Sequence, residues 1–164
     1  MLQPCSTPSQ VVFSTTGVGP SWFRLPDDDE GVKKAREFTA ARLAGSDEDF
    51  IDNVVLCASE VLGNAVRHAQ KSGPPPRGVA PGIWLGVRPL KRYVHLFARD
   101  PYPVPPRPKR AGLEDESGRG LSMIVEALAA AFWTELRRYD KTVNLIVCKP
   151  GVELTVAELD QIRR

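Results

Sequence analysis

The sequence predicts an α+β fold, a two-layer sandwich in which helices cover one face of a mixed β-sheet. Helical segments alternate along the chain with short apolar or alternating runs that are typical of strands. A stretch rich in proline and glycine, residues 73–82, and a second rich in proline, residues 101–108, separate these segments as loops. Proline fixes φ and removes a backbone donor, so neither stretch can continue a helix or a central strand.

The first half of the chain predicts one strand and two helices. Residues 11–15 are apolar and β-branched, as expected of an edge strand. The acidic run at 27–30 favours the start of a helix that reaches about Leu43, because carboxylates stabilise the positive end of a helix dipole. Gly45 ends this helix, and Ser46 or Asp47 caps a second helix that continues to about residue 70.

The second half predicts two pairs of strands with a helix between them. The strands are placed at 83–87, 93–98, 132–138 and 142–148, and the helix at 118–131. The loop at 101–117 is long for a connection without its own structure, and such loops are often lids over a site. We expect one domain over 10–149, with tails at 1–9 and 150–164 and a short helix near 155–163 in the second tail.

Composition narrows the class of protein. A chain of 164 residues with 42% hydrophobic and 26% charged residues is that of one ordinary soluble domain. A net charge of +2, with no basic stripe interleaved with aromatic residues, does not favour nucleic acid as a partner. There is no apolar run long enough for a bilayer, no signal-peptide layout, and no metal-ligand spacing among the three cysteines. We therefore expect a cytoplasmic protein with reduced thiols.

The second helix carries a polar pair that suits chemistry on phosphates. Glu60 and Asn64 are one turn apart, roughly 6 Å along the axis, on the side opposite the apolar face. A carboxylate there can take a proton from a hydroxyl, and an amide oxygen can bind Mg²⁺, which accepts hard oxygen ligands and phosphates. For this pair alone, an ordinary solvated helix face is the alternative.

Two further features indicate a nucleotide. Gly118 and Gly120 open the third helix, where exposed N–H groups and the helix dipole attract phosphate. Asp100 ends a predicted strand, where its carboxylate can accept a hydrogen bond from an exocyclic amine. A turn that needs glycine and a turn aspartate are the alternatives for each feature alone. Their order and spacing, together with the helix pair, predict an ATP site.

Taken in order, these motifs resemble the bacterial anti-sigma-factor serine/threonine protein kinases. The motifs are Glu60-x-x-x-Asn64-Ala65-x-x-His68, Asp100 followed by prolines, Gly118-Arg119-Gly120-Leu121 and Lys141-Thr142-Val143. These kinases belong to the superfamily whose histidine-kinase-like ATP-binding fold is shared with histidine kinases, gyrase, Hsp90 and MutL. The resemblance covers about residues 10–148.

The resemblance implies a role for each matching residue. Glu60 is the general base, Asn64 the Mg²⁺ ligand and Asp100 the adenine reader. Thr142 supports adenine recognition, and the phosphates lie near two groups of residues: Arg67 and His68 on the second helix, and Gly118, Arg119, Gly120 and Leu121 in the phosphate loop. Two positions depart from the pattern: Tyr102 stands where this branch has serine, and the last strand lacks the usual glycine and aromatic residue.

The resemblance also implies a mode of action. Such kinases bind ATP with Mg²⁺, phosphorylate an anti-anti-sigma protein, sequester a sigma factor and form homodimers. Three alternatives remain open: a non-catalytic ATP-binding interaction module, the catalytic fragment of a sensor kinase, and an unrelated α+β domain. Retention of Glu60 favours a kinase over a pure binder. The sensor-kinase reading is weakened because neither His68 nor His95 lies on a separate dimerisation helix.

Overall fold

The computed structural model describes residues 20–26, 30–75, 77–79, 81–102, 123 and 126–164. The elements are β1 (Ser21–Arg24), α1 (Gly31–Arg42), α2 (Glu48–Ser72), β2 (Trp84–Pro89), β3 (Tyr93–Asp100), β4 (Ala131–Leu136), β5 (Lys141–Cys148) and α3 (Val156–Ile162). Residues 123, 126 and 127 are helical, within the helix predicted at 118–131. The remainder of that helix up to 125 and the strand predicted at 11–15 lie outside the described residues.

The five strands form one sheet in the order β1-β2-β3-β5-β4. The predicted α+β class, with the two long helices on one face, is confirmed. The expected mixed sheet is corrected, because every strand pairing in the described ranges is antiparallel. Two hairpins, β2–β3 and β4–β5, supply two of these pairings. β5 then inserts between β3 and β4, so these two strands do not pair.

The core lies between the sheet and α2, the longest helix. Asp47, one of the two predicted caps, accepts a hydrogen bond from the backbone N–H of Phe50 at 3.0 Å and so caps α2. Gly73, at φ 73°, ends the helix in a conformation that glycine adopts at low cost. None of the helices in the described ranges is long and apolar enough to cross a membrane. The apolar face of α2 buries Phe50, Val54, Cys57, Ala58, Val61, Leu62 and Ala65.

β1 is a strand that the sequence analysis did not predict. It has only four residues, between prolines at 20 and 26, and pairs with β2 through Ser21 to Arg24. Phe23 is 2% exposed and stacks on Phe38 of α1 with ring centroids 5.2 Å apart. A run this short has too few alternating positions for its period to be recognised, so tertiary packing decides its structure.

The opposite face of the sheet is covered in part by aromatic side chains. Trp22 meets Phe97 edge-on at 4.7 Å between ring centroids, and His95 lies 4.9 Å from Phe97. Phe97 lies across Gly86, where an added Cβ would be 2.0 Å from the ring. Position 86 of β2 therefore has room for glycine but not for a side chain.

α3 contacts that second face from the C-terminal tail. It begins with a capping box formed by Thr155 and Glu158, and Arg92 before β3 bonds the Glu158 carboxylate. Arg163 lies over the Trp133 ring at 5.7 Å from its centroid. The predicted short helix near 155–163 is thus present in the tail.

Candidate functional site

One side of the site is the polar flank of α2, the part of the helix that does not enter the core. Glu60, Asn64, Arg67 and His68 all lie here and all are partly buried. The Arg67 guanidinium folds back over Gly63, where an added Cβ would be 3.4 Å from Nη1. The helix therefore presents a carboxylate, an amide and a cation together, as the sequence predicted.

Asp100 forms the other side, at the last position of β3. Its side chain is 1% exposed. Oδ1 accepts a hydrogen bond from the backbone N–H of Tyr102 at 2.9 Å, whereas Oδ2 makes no hydrogen bond to any described residue. Burial raises the pKa of this carboxyl, and the nearby positive charge of Lys141 opposes that rise. One oxygen is thus held in place by a hydrogen bond, and the other is a buried acceptor in an ion pair.

Lys141 lies directly beside Asp100, a placement that the sequence analysis missed. The two residues are paired across β3 and β5, with Nζ 3.4 Å from Oδ2. The Lys141 side chain is 1% exposed, and its Nζ makes no hydrogen bond within the part of the chain that the structure describes. A signal was available: strand alternation from Val143, on the core face of β5, places Lys141 on that same face.

Thr142 is not brought together with Asp100. It pairs with Arg99, so alternation places both side chains on the opposite face of the sheet. There Arg99 bonds Asp140 at 2.7 Å. The position that shares a face with Asp100 is Lys141, one residue before the threonine that the resemblance pointed to.

The flank of α2 and the strand ends face each other. The pKa of His68 is lowered, first because burial disfavours the charged ring and second because of the positive charge of Lys141. The charge of Asp100 acts in the opposite direction on the same ring. The charges of both members of the strand-end pair therefore act on the His68 ring, and the packing of α2 on β3 places the candidate site between this helix and the strand ends.

Tyr102 links the two sides of the site through its backbone and its side chain. Besides the N–H that holds Asp100, its hydroxyl donates to the backbone carbonyl of Gly73 at 2.7 Å. Gly73 follows α2, so the chain leaving β3 is tied to the end of that helix. The tyrosine that replaces serine in the motif has a structural use here.

The remaining predicted residues cannot be placed. Gly118, Arg119, Gly120 and Leu121 lie outside the described residues, as does the predicted lid beyond Tyr102. Within the described ranges, no three histidine, cysteine or acidic side chains come together to hold a metal. A Mg²⁺ ion bound here would take the Asn64 amide oxygen together with phosphate oxygens and water, a ligand set that suits this ion.

Comparison with known proteins agrees with this geometry. No curated protein matches the chain. The family model described as histidine kinase-like ATPase domain matches residues 25–148, from the end of β1 to the last residue of β5. The match includes the polar flank of α2 and both Asp100 and Lys141. The chain, matched over most of its length, therefore belongs to the family of histidine kinase-like ATPase domains.

Proposed function

We propose that this ATP-binding regulatory domain is a serine/threonine protein kinase and anti-sigma factor that acts by partner switching. Its substrate in this proposal is an anti-anti-sigma protein, and its second partner is a sigma factor held by the homodimer in the cytoplasm. Family membership supports ATP as the nucleotide. The observation that carries the proposal is the buried Oδ2 of Asp100, an acceptor that makes no hydrogen bond to any described residue and lies 3.4 Å from Lys141 Nζ.

Each residue has one task in the proposed reaction. Asp100 accepts a hydrogen bond from the exocyclic amine of adenine, which orients the nucleotide along α2. The Asn64 amide oxygen holds Mg²⁺, which neutralises charge on the phosphates. Glu60 takes the proton of the incoming serine or threonine hydroxyl. As that oxygen bonds to the γ-phosphorus, the bond from phosphorus to the β–γ bridging oxygen breaks and ADP leaves.

Positioning supplies most of the acceleration in such a transfer, because the phosphoryl group needs little covalent assistance. The motif at Gly118 and Gly120, with Arg119 and Leu121, completes the phosphate site in this proposal. Arg67 and His68 lie one turn beyond Asn64 and two turns beyond Glu60 on α2, on the same flank. They are suited to the phosphate end of the nucleotide.

Phosphotransfer to a protein partner is the decisive measurement. The full chain is incubated with γ-labelled ATP, Mg²⁺ and candidate partners of the anti-anti-sigma fold, with the Glu60→Gln variant as the matched control. We expect label on a serine or threonine of one partner with the native chain and little with the variant. If ATP binds but no partner is labelled, the non-catalytic interaction module is the better assignment.

A further inference from the structure

Lys141 is an unusual residue for its position. Lysine side chains are almost never fully buried unless they are paired, yet this one is 1% exposed. Its ammonium has three N–H donors, and none of them makes a hydrogen bond to a described residue. Its ion-pair partner among the described residues is Asp100 at 3.4 Å. That distance is longer than the roughly 2.7–2.9 Å of a charge-assisted hydrogen bond, so both groups of the ion pair keep capacity for a hydrogen bond to a ligand.

The acceptor beside Lys141 is in the same situation. Oδ1 of Asp100 is satisfied by the Tyr102 N–H, and Oδ2 makes no hydrogen bond to any described residue. Two neighbouring buried atoms, one donor and one acceptor, are therefore joined by a 3.4 Å ion pair and have no hydrogen bond of their own at this strand end. Leaving such groups without hydrogen bonds is costly in a protein interior, so a ligand with an acceptor next to a donor would satisfy both.

The orientation of the pair agrees with the proposed nucleotide site. Asp100 and Lys141 are paired in register, so their side chains share the face of the sheet that is covered by α2. His68 on α2 senses the charge of both. The Lys141 donor and the Asp100 acceptor thus lie on the side of the polar flank, whereas the Arg99–Asp140 ion pair occupies the other face.

We propose that Lys141 is a specificity-determining residue of the base site, whose Nζ donates a hydrogen bond to ring nitrogen N1 of adenine. The exocyclic amine of the same base donates to Oδ2 of Asp100. The Watson–Crick edge of adenine carries this acceptor and donor side by side, as the two protein groups require. This inference rests on the proposed ATP site and adds a second base contact to it.

The test compares ADP with 1-deaza-ADP, in which a C–H group replaces N1 and the exocyclic amine is kept. Calorimetry of the native full chain with Mg²⁺ should show about 10- to 100-fold weaker binding of the analogue, as expected for loss of a hydrogen bond to a charged donor. Lys141→Met should bind the two nucleotides with nearly equal affinity. Arg99→Met, which removes a cation one pairing away on the opposite face, should discriminate like the native chain.

The outcomes separate this inference from the proposed function. If the native chain binds ADP and its analogue equally, or if Lys141→Met still discriminates between them, Lys141 does not read N1. If the native chain binds neither nucleotide, the ATP site itself is wrong and the inference is overturned with it. If Lys141→Met fails to fold because the Asp100 charge is left without its partner, the double variant Lys141→Met/Asp100→Asn removes both charges. In that case the comparison of ADP with 1-deaza-ADP binding to the native chain is decisive.

Discussion

The Asp100 carboxylate enters the proposed base site with one oxygen held by Tyr102 and the other in an ion pair with Lys141. In Asp100→Asn the amide oxygen can still accept from Tyr102, but an NH₂ group then faces both Lys141 and the exocyclic amine. We expect ADP affinity to fall about 10- to 100-fold, since a hydrogen bond to a charged group contributes roughly 1.5–3 kcal/mol. Calorimetry measures this change. Asp140→Asn, which alters a carboxylate on the opposite face, is the control and should bind normally.

Equal ADP affinity in the native chain and in Asp100→Asn would remove Asp100 from the site. Circular dichroism of both variants should accompany the titration, because the amide also leaves Lys141 without its ion-pair partner. A loss of affinity in a well-folded variant then reports on the ligand.

Glu60 and Asn64 lie on one flank of α2 but should fail in different ways. Glu60→Gln removes a base, so transfer should slow by about 10²- to 10⁴-fold while ATP affinity changes little. Asn64→Ala removes the proposed protein ligand of Mg²⁺, so both affinity and transfer should fall. Paired measurements of ATP binding and partner labelling distinguish the two. Native labelling rates in Glu60→Gln would show that another group accepts the proton.

Among the elements, the β2–β3 pairing depends on the absence of a side chain at Gly86. In Gly86→Ala the new Cβ would lie 2.0 Å from the Phe97 ring, which is itself packed by Trp22. Overpacking of this kind costs about 1–3 kcal/mol. Urea denaturation should show that loss of unfolding free energy, and adding Phe97→Leu should recover part of it. Strictly additive effects of the two changes would mean that the ring does not carry the strain.

The longer elements were predictable because their signals are local. The cap at Asp47, the apolar period of α2 and the apolar runs of β3 and β5 are each contained in one stretch of sequence. The antiparallel order of the sheet was not predictable, because strand direction depends on how separate segments pair. β1 was missed because packing on Phe38 and pairing with β2 decide its structure.

Part of the candidate site could also be predicted from local sequence, and part could not. The α2 motif and Asp100 could be recognised by their spacing, and the superfamily to which they point is confirmed by the family match. The nearness of Lys141 to Asp100 is a matter of strand register, which no single segment of the sequence specifies. For the same reason the resemblance pointed to Thr142 as a support for adenine recognition, although its side chain lies on the face of the sheet opposite Asp100.

For the molecule as a whole, the two histidines make stability depend on pH. His95 is half-buried, with Nε2 2.9 Å from Asn144 Oδ1 and its ring stacked on Trp133. Burial lowers its pKa, Arg88 adds to that effect, and the Asn144 bond and Glu135 oppose it. The pKa of His68 is lowered as well, again mainly by burial. The unfolded chain therefore takes up protons first as the pH falls below about 6.5.

We expect the melting temperature to fall as the pH is lowered from 7.5 to 5.5, because stability present above the unfolded pKa is lost as the pH decreases toward the folded values. Thermal melts of the native chain and of the double variant His68→Gln/His95→Gln measure this effect. The variant should show a flatter profile over the same range. Identical profiles would assign the pH dependence to other groups.

The central pairing of β3 with β5 has a consequence in the statistics of chain closure. Asp100 and Lys141 meet although the chain between them includes a long connection and all of β4. The entropy of closing a loop grows only with the logarithm of its length, so doubling a flexible connection costs about 0.6 kcal/mol. The contact between Asp100 and Lys141 therefore depends on the register of the sheet and only weakly on how many residues separate the two positions in the chain.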